Sequence, residues 1–294
     1  MQTLHGCGTA LATPFARDGS LDERALRDFA EWQIAEGIHF LVPCGTTGEA
    51  ATMTAEERAR VVAIVVEVAR GRVPVVAGAT SNDTRAAVEE AKRIRDAGAD
   101  YILSATPYYN KPTSAGLERH FAAVAEAAER PLILYNVPGR TALNMDARTT
   151  LRLAGRPGIA GVKEASGNLA QITEILSDRP DGFTVLSGDD ALTFAITALG
   201  GDGVISVASN EVPGPMSRMV EQLQAGDLEA AREIHFRLLP LMNANFLESN
   251  PIPVKAALAR MGKMQEVLRL PLTPLSDAHR IVLEEALRAA GALV

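Results

Sequence analysis

Lys163 is the residue whose setting in the sequence most directly suggests chemistry. It follows the apolar run 158–162, which places its amine at the end of an expected buried strand. An ammonium group at the rim of an apolar interior loses its proton more easily than one in water. The neutral amine can attack a ketone and form a Schiff base. A lone lysine at a strand end more often reaches solvent or pairs with a neighbour such as Glu164, so the interpretation depends on the other strand ends.

Polar side chains of three kinds follow other apolar runs. A glycine-flanked turn contains Thr46 and Thr47, whose hydroxyls and backbone N–H groups suit a small carboxylate, although capping threonines are equally common there. Tyr109 and Tyr135 are two of only four tyrosines. Phenols at strand ends can relay protons, but a buried tyrosine with a satisfied hydroxyl is the commoner case. Arg140 follows a proline and a glycine, and it fits either a carboxylate clamp or a surface ion pair.

The elements that must position these groups alternate regularly along the chain. Short apolar runs predict strands at 8–13, 40–44, 73–77, 101–104, 132–135, 159–163, 184–187 and 203–207. Amphipathic stretches predict helices at 21–35, 55–68, 84–97, 115–129, 147–154, 169–176, 191–199 and 214–224. This is the pattern of parallel strands joined by helical crossovers.

Eight strand–helix units predict an α/β protein with a (β/α)8 TIM barrel, in which reactive groups lie where strands end. An open doubly wound sheet is the competing architecture, but its dinucleotide version needs a G-x-G-x-x-G turn after the first strand, which is absent here. After residue 225 the alternation stops, and Asp227 can cap a helix toward 246. Two further helices are expected at 251–261 and 276–290. We therefore expect a catalytic barrel over 1–225 and a three-helix domain over 226–294.

Composition excludes several functions. The 294 residues carry a formal charge of -7, with acidic and basic side chains interspersed, which argues against nucleic-acid binding. No apolar run approaches the roughly 20 residues of a membrane span. The two cysteines cannot form a disulfide framework, so the cytoplasm is the expected location. The five histidines are scattered, which argues against a metal site. Asp189 and Asp190 are interpreted as an N-cap and first-turn acid of the following helix.

Five segments together resemble the dihydrodipicolinate synthase family. They are Gly45-Thr46-Thr47-Gly48-Glu49, Tyr108-Tyr109-Asn110, Tyr135-Asn136-Val137-Pro138-Gly139-Arg140-Thr141, Val162-Lys163-Glu164-Ala165-Ser166-Gly167 and Ser187-Gly188-Asp189-Asp190. The similarity covers essentially the whole chain, with the motifs in the family's order. It implies a barrel with a C-terminal helical domain that condenses pyruvate with L-aspartate 4-semialdehyde in the diaminopimelate route to lysine. It also implies no cofactor, and a homotetramer built from two tight dimers.

The resemblance assigns catalytic roles to four residues. Lys163 would form the Schiff base with pyruvate. Thr47, Tyr135 and Tyr109 would pass protons between the site and solvent, with Tyr109 reaching into the neighbouring subunit's site. An imine at the lysine would act as an electron sink, so that an enamine of pyruvate can attack an aldehyde without a metal.

The resemblance also assigns substrate-binding roles. Thr46 and Thr47 would bind the pyruvate carboxylate, and Arg140 would receive the carboxylate of the semialdehyde. Gly188 and Ile205 would shape the pocket through backbone groups.

Two alternative functions remain open. This chain also resembles N-acetylneuraminate lyase and the 2-keto-3-deoxy sugar-acid aldolases and dehydratases, which share the same lysine and tyrosine. The pair Thr46-Thr47 together with Arg140 favours the synthase, because a guanidinium suits a short dicarboxylate and a polyhydroxylated sugar needs neutral partners. A protein of another class, a keto-acid-binding regulator without turnover, is disfavoured because every strand-end group is present.

One departure from the family concerns feedback by lysine. By the same resemblance, the effector site of lysine-inhibited relatives contains histidines and a glutamate. This sequence has Ala55, Arg58 and Ala86 at the corresponding positions. Asn82 and Tyr108 are retained. Loss of an acidic partner for a cationic effector predicts poor inhibition by lysine.

Overall fold

The computed structural model describes residues 4–293, in which eight parallel strands form a barrel. The strands are β1 (Gly6–Ala10), β2 (Phe40–Val42), β3 (Val76–Gly78), β4 (Tyr101–Ala105), β5 (Leu132–Asn136), β6 (Ile159–Glu164), β7 (Thr184–Ser187) and β8 (Gly203–Ser206). Each strand from β3 to β8 pairs with the next one in sequence, β8 returns to pair with β1, and β1 pairs with β2. A parallel bridge between Leu41 on β2 and Val75, the residue before β3, completes the ring. The predicted (β/α)8 barrel is confirmed.

Within residues 4–293, twelve α-helices accompany the strands. They are α1 (Glu23–Ala35), α2 (Ala55–Ala69), α3 (Thr84–Asp96), α4 (Ser114–Ala128), α5 (Pro138–Thr141), α6 (Ala147–Ala154), α7 (Leu169–Asp178), α8 (Thr193–Ala198), α9 (Pro213–Gln224), α10 (Leu228–Ala244), α11 (Ile252–Arg260) and α12 (Asp277–Ala289). None of the helices in the described chain is both long and apolar enough to span a bilayer. The short helix α5 was not predicted; it begins at Pro138, whose fixed φ suits the first helical position.

Local sequence explains where the main crossovers begin. Thr54 and Glu57 form a reciprocal capping box at the start of α2. Asp83 and Asp146 accept backbone N–H bonds at the starts of α3 and α6. These caps satisfy helix N–H groups that would otherwise lack partners, so α2, α3 and α6 begin at defined residues.

The apolar side chains form two layers because successive strand residues face opposite sides. On β6, Val162 packs in the large layer between barrel and helices, while Lys163 on the next position faces the interior. The interior layer fills the barrel with bulky side chains, which include Phe40, Ile133 and Leu186. The barrel is therefore packed, and the cavity that can hold ligands opens at the carboxyl ends of the strands.

Three helices, α10 to α12, follow the barrel, and Asp227 caps the first of them as predicted. They are tied to the barrel by a fully buried ion pair, in which the Lys255 Nζ donates to the Glu49 Oε1 at 2.6 Å. The division into domains at residue 225 stays a prediction.

Candidate active site

Lys163 lies at the carboxyl end of β6 and is 6% exposed. Its neighbour across the sheet is Tyr135 on β5, directly opposite in the strand register. The Lys163 Nζ lies 4.3 Å from the centre of the Tyr135 ring. The amine therefore neither reaches bulk solvent nor leaves the barrel, and a phenol is its immediate neighbour.

Glu164, the expected alternative partner of the lysine, faces the other side of the strand. It is fully buried and accepts hydrogen bonds from the Asn136 and Gln171 side-chain amides and from the Ser166 backbone N–H. Burial raises the pKa of this carboxyl, and the hydrogen bonds oppose that effect. These partners hold the end of β6 in place and leave Lys163 free to face the cavity.

A cavity of about 610 Å³ opens at the carboxyl ends of the strands. Six of the sequence-predicted site residues line it: Thr46, Thr47, Tyr135, Arg140, Lys163 and Gly188. They come from loops or strands spread over more than 140 positions, so the barrel brings together groups that the sequence separates. The volume suits two small molecules of a few carbons each.

Gly188 leaves room for the reactive lysine. A Cβ at this position would lie 3.0 Å from the Lys163 Cε and 2.7 Å from the Ala165 Cβ. Both distances are shorter than ordinary carbon–carbon contacts. The absence of a side chain at 188 thus lets the lysine take its present path into the cavity.

The turn that carries the two threonines is held in an unusual conformation. Glu49 has a φ of 54°, which is uncommon for a residue with a side chain. Its carboxylate receives hydrogen bonds from Lys255 at 2.6 Å and from the Arg269 backbone N–H at 3.1 Å. Within the turn, Thr47 is 2% exposed while Thr46 is exposed. The C-terminal segment therefore fixes one threonine deep in the cavity wall and the other toward its opening.

Asn250 is a site residue that sequence reasoning missed. Its Nδ2 donates to the Thr47 Oγ1 at 2.9 Å, and its backbone oxygen accepts from the Arg140 Nη2 at 3.2 Å. The only available signal was its place before Pro251, which suggested a rigid helix start. Contact with Thr47 spans 203 positions and is created only by the tertiary fold.

Two predicted site residues lie outside the cavity lining. Tyr109 is 88% exposed, with a φ of 69°, and its neighbour Tyr108 lines the cavity instead. Ile205 is 1% exposed and belongs to the packed interior layer. The roles assigned to both residues stay predictions.

The interpretation of Asp189 and Asp190 as the N-cap and first-turn acid of the following helix is wrong, and Asp190 has a different role. Its Oδ2 accepts from the backbone N–H groups of Val207 and Ala208, at 3.0 and 2.8 Å, and burial raises the pKa of its carboxyl. The helix α8 begins at Thr193, and its N-cap residue Leu192 makes no side-chain cap bond. In the sequence Asp190 lies close to the following helix, but in the fold its carboxylate lies against the loop after β8. Asp190 therefore braces the loop beside the cavity.

Other groups near the site have different roles. Cys44 lines the cavity, but burial raises the pKa of its thiol far above the usual range, which disfavours the nucleophilic thiolate. Arg58 also lines it and is paired with the buried Glu90 through two hydrogen bonds of 2.5 and 3.0 Å. Within residues 4–293, no group of three or more His, Cys, Asp or Glu side chains is arranged to hold a metal ion.

The fold and the site define a class: a (β/α)8 barrel enzyme with a buried lysine beside a tyrosine, the arrangement of a Schiff-base lyase. The chain belongs to the dihydrodipicolinate synthetase family, whose model matches residues 3–290.

Individual relatives are similar over nearly their whole length. A 4-hydroxy-tetrahydrodipicolinate synthase of Koribacter versatilis is 56% identical, over 99% of this chain and 97% of the relative. The crystal structure of the chloride-inhibited dihydrodipicolinate synthase of Acinetobacter baumannii, complexed with pyruvate, is 43% identical with a TM-score of 0.97, over 99% of this chain and 100% of that one. The enzyme of Cyanidioschyzon merolae with lysine bound is 41% identical with a TM-score of 0.95, over 98% and 99%. The comparisons confirm the family and the synthase activity predicted from the sequence.

Proposed function

We propose that this chain condenses pyruvate with L-aspartate 4-semialdehyde through a Schiff base on Lys163, as a 4-hydroxy-tetrahydrodipicolinate synthase of lysine biosynthesis. The observation that carries the proposal is the amine of Lys163, buried in the cavity 4.3 Å from the Tyr135 ring. The named activity of the curated relatives supports the choice of substrates.

The residues have the following roles in this proposal. The Lys163 nitrogen attacks the ketone carbon of pyruvate, and the carbonyl oxygen leaves as water. The resulting imine withdraws electrons, so a proton leaves the methyl carbon and an enamine forms. The enamine carbon attacks the aldehyde of the second substrate, and cyclisation of the product releases the lysine. Tyr135 and Thr47, which line the same cavity, transfer the protons that these steps require.

Carboxylate recognition is assigned to three groups. Thr46 and Thr47 donate hydrogen bonds to the carboxylate of pyruvate, and Arg140 binds that of the semialdehyde, since its forked donors match a planar carboxylate. All three line the cavity. The guanidinium supports a dicarboxylate-forming reaction over cleavage of a polyhydroxylated sugar acid.

Tyr109 is proposed to complete the site of a neighbouring subunit in a homotetramer. Support comes from its exposure of 88% and its position outside the cavity of its own chain. Mixing Tyr109→Phe and Lys163→Met chains and letting subunits exchange tests this directly. If the tyrosine acts across the interface, mixed dimers contain one intact site and activity returns. No recovery, despite exchange shown by mass spectrometry, would contradict a role across the interface.

The same proposal places the enzyme in the cytoplasm. Both cysteines are free and buried, as is usual in a reducing compartment. Cell fractionation, followed by immunodetection of the full chain, measures the location.

The decisive experiment is borohydride trapping with pyruvate, followed by peptide mass spectrometry. A reduced pyruvyl adduct is expected on the Lys163 peptide. Lys163→Met must lose the adduct and the turnover, while Lys92→Met, at a half-exposed position on α3, must keep both. Turnover is then compared between aspartate semialdehyde and N-acetylmannosamine. Exclusive use of the sugar would replace the synthase by a lyase, and absence of any adduct would remove the Schiff-base mechanism.

A further inference from the structure

A single residue of the C-terminal segment contacts two of the three groups assigned to carboxylate binding. Asn250 donates from Nδ2 to the Thr47 Oγ1 at 2.9 Å, and its backbone oxygen accepts from the Arg140 Nη2 at 3.2 Å. Asn250 is 6% exposed and Thr47 is 2% exposed, so water competes little for the bond between their side chains.

The direction of this hydrogen bond determines what the hydroxyl of Thr47 can still do. An amide nitrogen only donates, so the Thr47 oxygen acts as acceptor and its own hydrogen is not used in this bond. No other hydrogen bond in the described part of the chain involves this hydroxyl. The hydrogen is therefore available to a ligand in the cavity, and a carboxylate accepts it best.

The side-chain amide of Asn250 lowers the stability of the fold in a way that a purely structural residue would avoid. The Asn250 Oδ1 is buried and has no hydrogen-bond partner within residues 4–293. A buried acceptor without a partner destabilises the folded chain. A buried acceptor without a partner is expected to persist mainly at functional sites.

The turn that carries Thr47 is also held by the C-terminal segment at a second point, since Lys255 and Arg269 bind Glu49, two residues after Thr47. The backbone of the turn is thus fixed independently of Asn250. What the amide adds is the orientation of one hydroxyl.

We infer that Asn250 is a positioning residue that sets Thr47 as a hydrogen-bond donor toward the carboxylate of the keto acid and holds Arg140 beside it. The inference rests on the proposed function and adds to it a determinant of pyruvate affinity.

Asn250→Asp tests the inference with almost no change of shape. At neutral pH a carboxylate only accepts, so it draws the Thr47 hydrogen toward itself and presents negative charge near the keto-acid site. We expect the KM for pyruvate to rise about 10- to 100-fold, with a smaller change in kcat. Lowering the pH from 8 toward 6 should reduce this effect, because the protonated acid can donate as the amide does and a buried acid protonates readily. The wild-type KM should change much less over that range.

Coupling and a second variant keep the test decisive. In a Thr47→Val background, Asn250→Asp should raise the KM for pyruvate far less than it does alone. Asn250→Ala, which introduces no charge, should raise it about 3- to 10-fold without the pH dependence, so the inference can be tested even where the aspartate variant fails to fold. Thermal unfolding of each variant monitors the fold.

The inference would be overturned by equal KM values for wild type and a folded Asn250 variant, or by full additivity with Thr47→Val. In either case, trapping of pyruvate by the wild-type chain would leave the proposed function intact. Failure of the wild-type chain to trap pyruvate would overturn both.

Discussion

Tyr135 and Lys163 are directly opposed on neighbouring parallel strands, and the lysine nitrogen lies 4.3 Å from the centre of the tyrosine ring. Residues paired in this way share one face of the sheet, so both side chains enter the barrel at the same height. The reactive amine is therefore positioned by backbone hydrogen bonding of the barrel itself. A loop could not hold two side chains together so rigidly.

Tyr135→Phe should separate packing from proton transfer. The phenyl ring keeps the contact with Lys163, so the pyruvate adduct should still form, but kcat should fall about 10²- to 10⁴-fold because the phenol no longer moves protons. Solvent deuterium exchange at the pyruvate methyl group, followed by NMR, should slow in parallel. Tyr101→Phe, at the opposite end of the strands, serves as the control. Exchange at the wild-type rate would exclude Tyr135 from the relay.

Gly188→Ala should displace the lysine. A methyl group would lie 3.0 Å from the Lys163 Cε, so the side chain must move away from its present path. We expect kcat/KM for pyruvate to fall about 10- to 100-fold, as for small displacements of a reacting group. Gly155→Ala meets no atom closer than 3.7 Å and should have no such effect. The rate of imine reduction under limiting borohydride measures both variants, and equal rates would count against the steric account.

The barrel could be predicted from the sequence because the signals that define its strands and helices are local. Strand β7 and helix α6 have the predicted bounds, and the other strand and helix ends differ by a few residues. Apolar runs, caps and turns each act over fewer than about 20 residues, which a single sequence displays directly. The strand ends then placed Lys163, Tyr135 and Gly188 at one face through topology alone.

The support around these residues was not predictable in the same way. Asn250 meets Thr47 across 203 positions, and Lys255 meets Glu49 across 206. Neither partner has a local pattern that signals the other, because the C-terminal helices reach the barrel only after folding. Asp190 was wrongly interpreted for a related reason: a cap and a tertiary acceptor use the same side chain. Exposure of Tyr109 likewise depends on the fold of its loop.

Lysine should inhibit this enzyme poorly. Arg58 places a cation at the position where the family resemblance expects the effector site, and both carboxylate oxygens of Glu90 already bind it. Ala86 offers no acidic partner for an incoming ammonium group. Activity at saturating substrates should change little in millimolar lysine. The double variant Arg58→His with Ala86→Glu should gain sensitivity, and Lys92→Met should not. Half-inhibition of the wild type by millimolar lysine would contradict the prediction.

Glu57 should make stability depend on acid pH. Two hydrogen bonds from Arg269, at 2.6 and 2.8 Å, are the main cause that lowers the pKa of this carboxyl from about 4.5 to about 2. Because the folded-state pKa lies below the unfolded one, the stabilisation is fully present above pH about 4.5 and is lost as the pH falls toward 2.

Glu57→Gln should therefore lower Tm by about 2–4 °C at pH 7, with a difference that shrinks steadily below pH about 4.5. Glu285→Gln, exposed on α12, controls for loss of one charge. Calorimetry between pH 3 and 7 makes the comparison. A Tm difference that stays constant across this range would contradict a contribution from the ionised Glu57 carboxylate, since Glu57→Gln leaves the packing of Arg269 on the Phe15 ring, at 4.2 Å, unchanged.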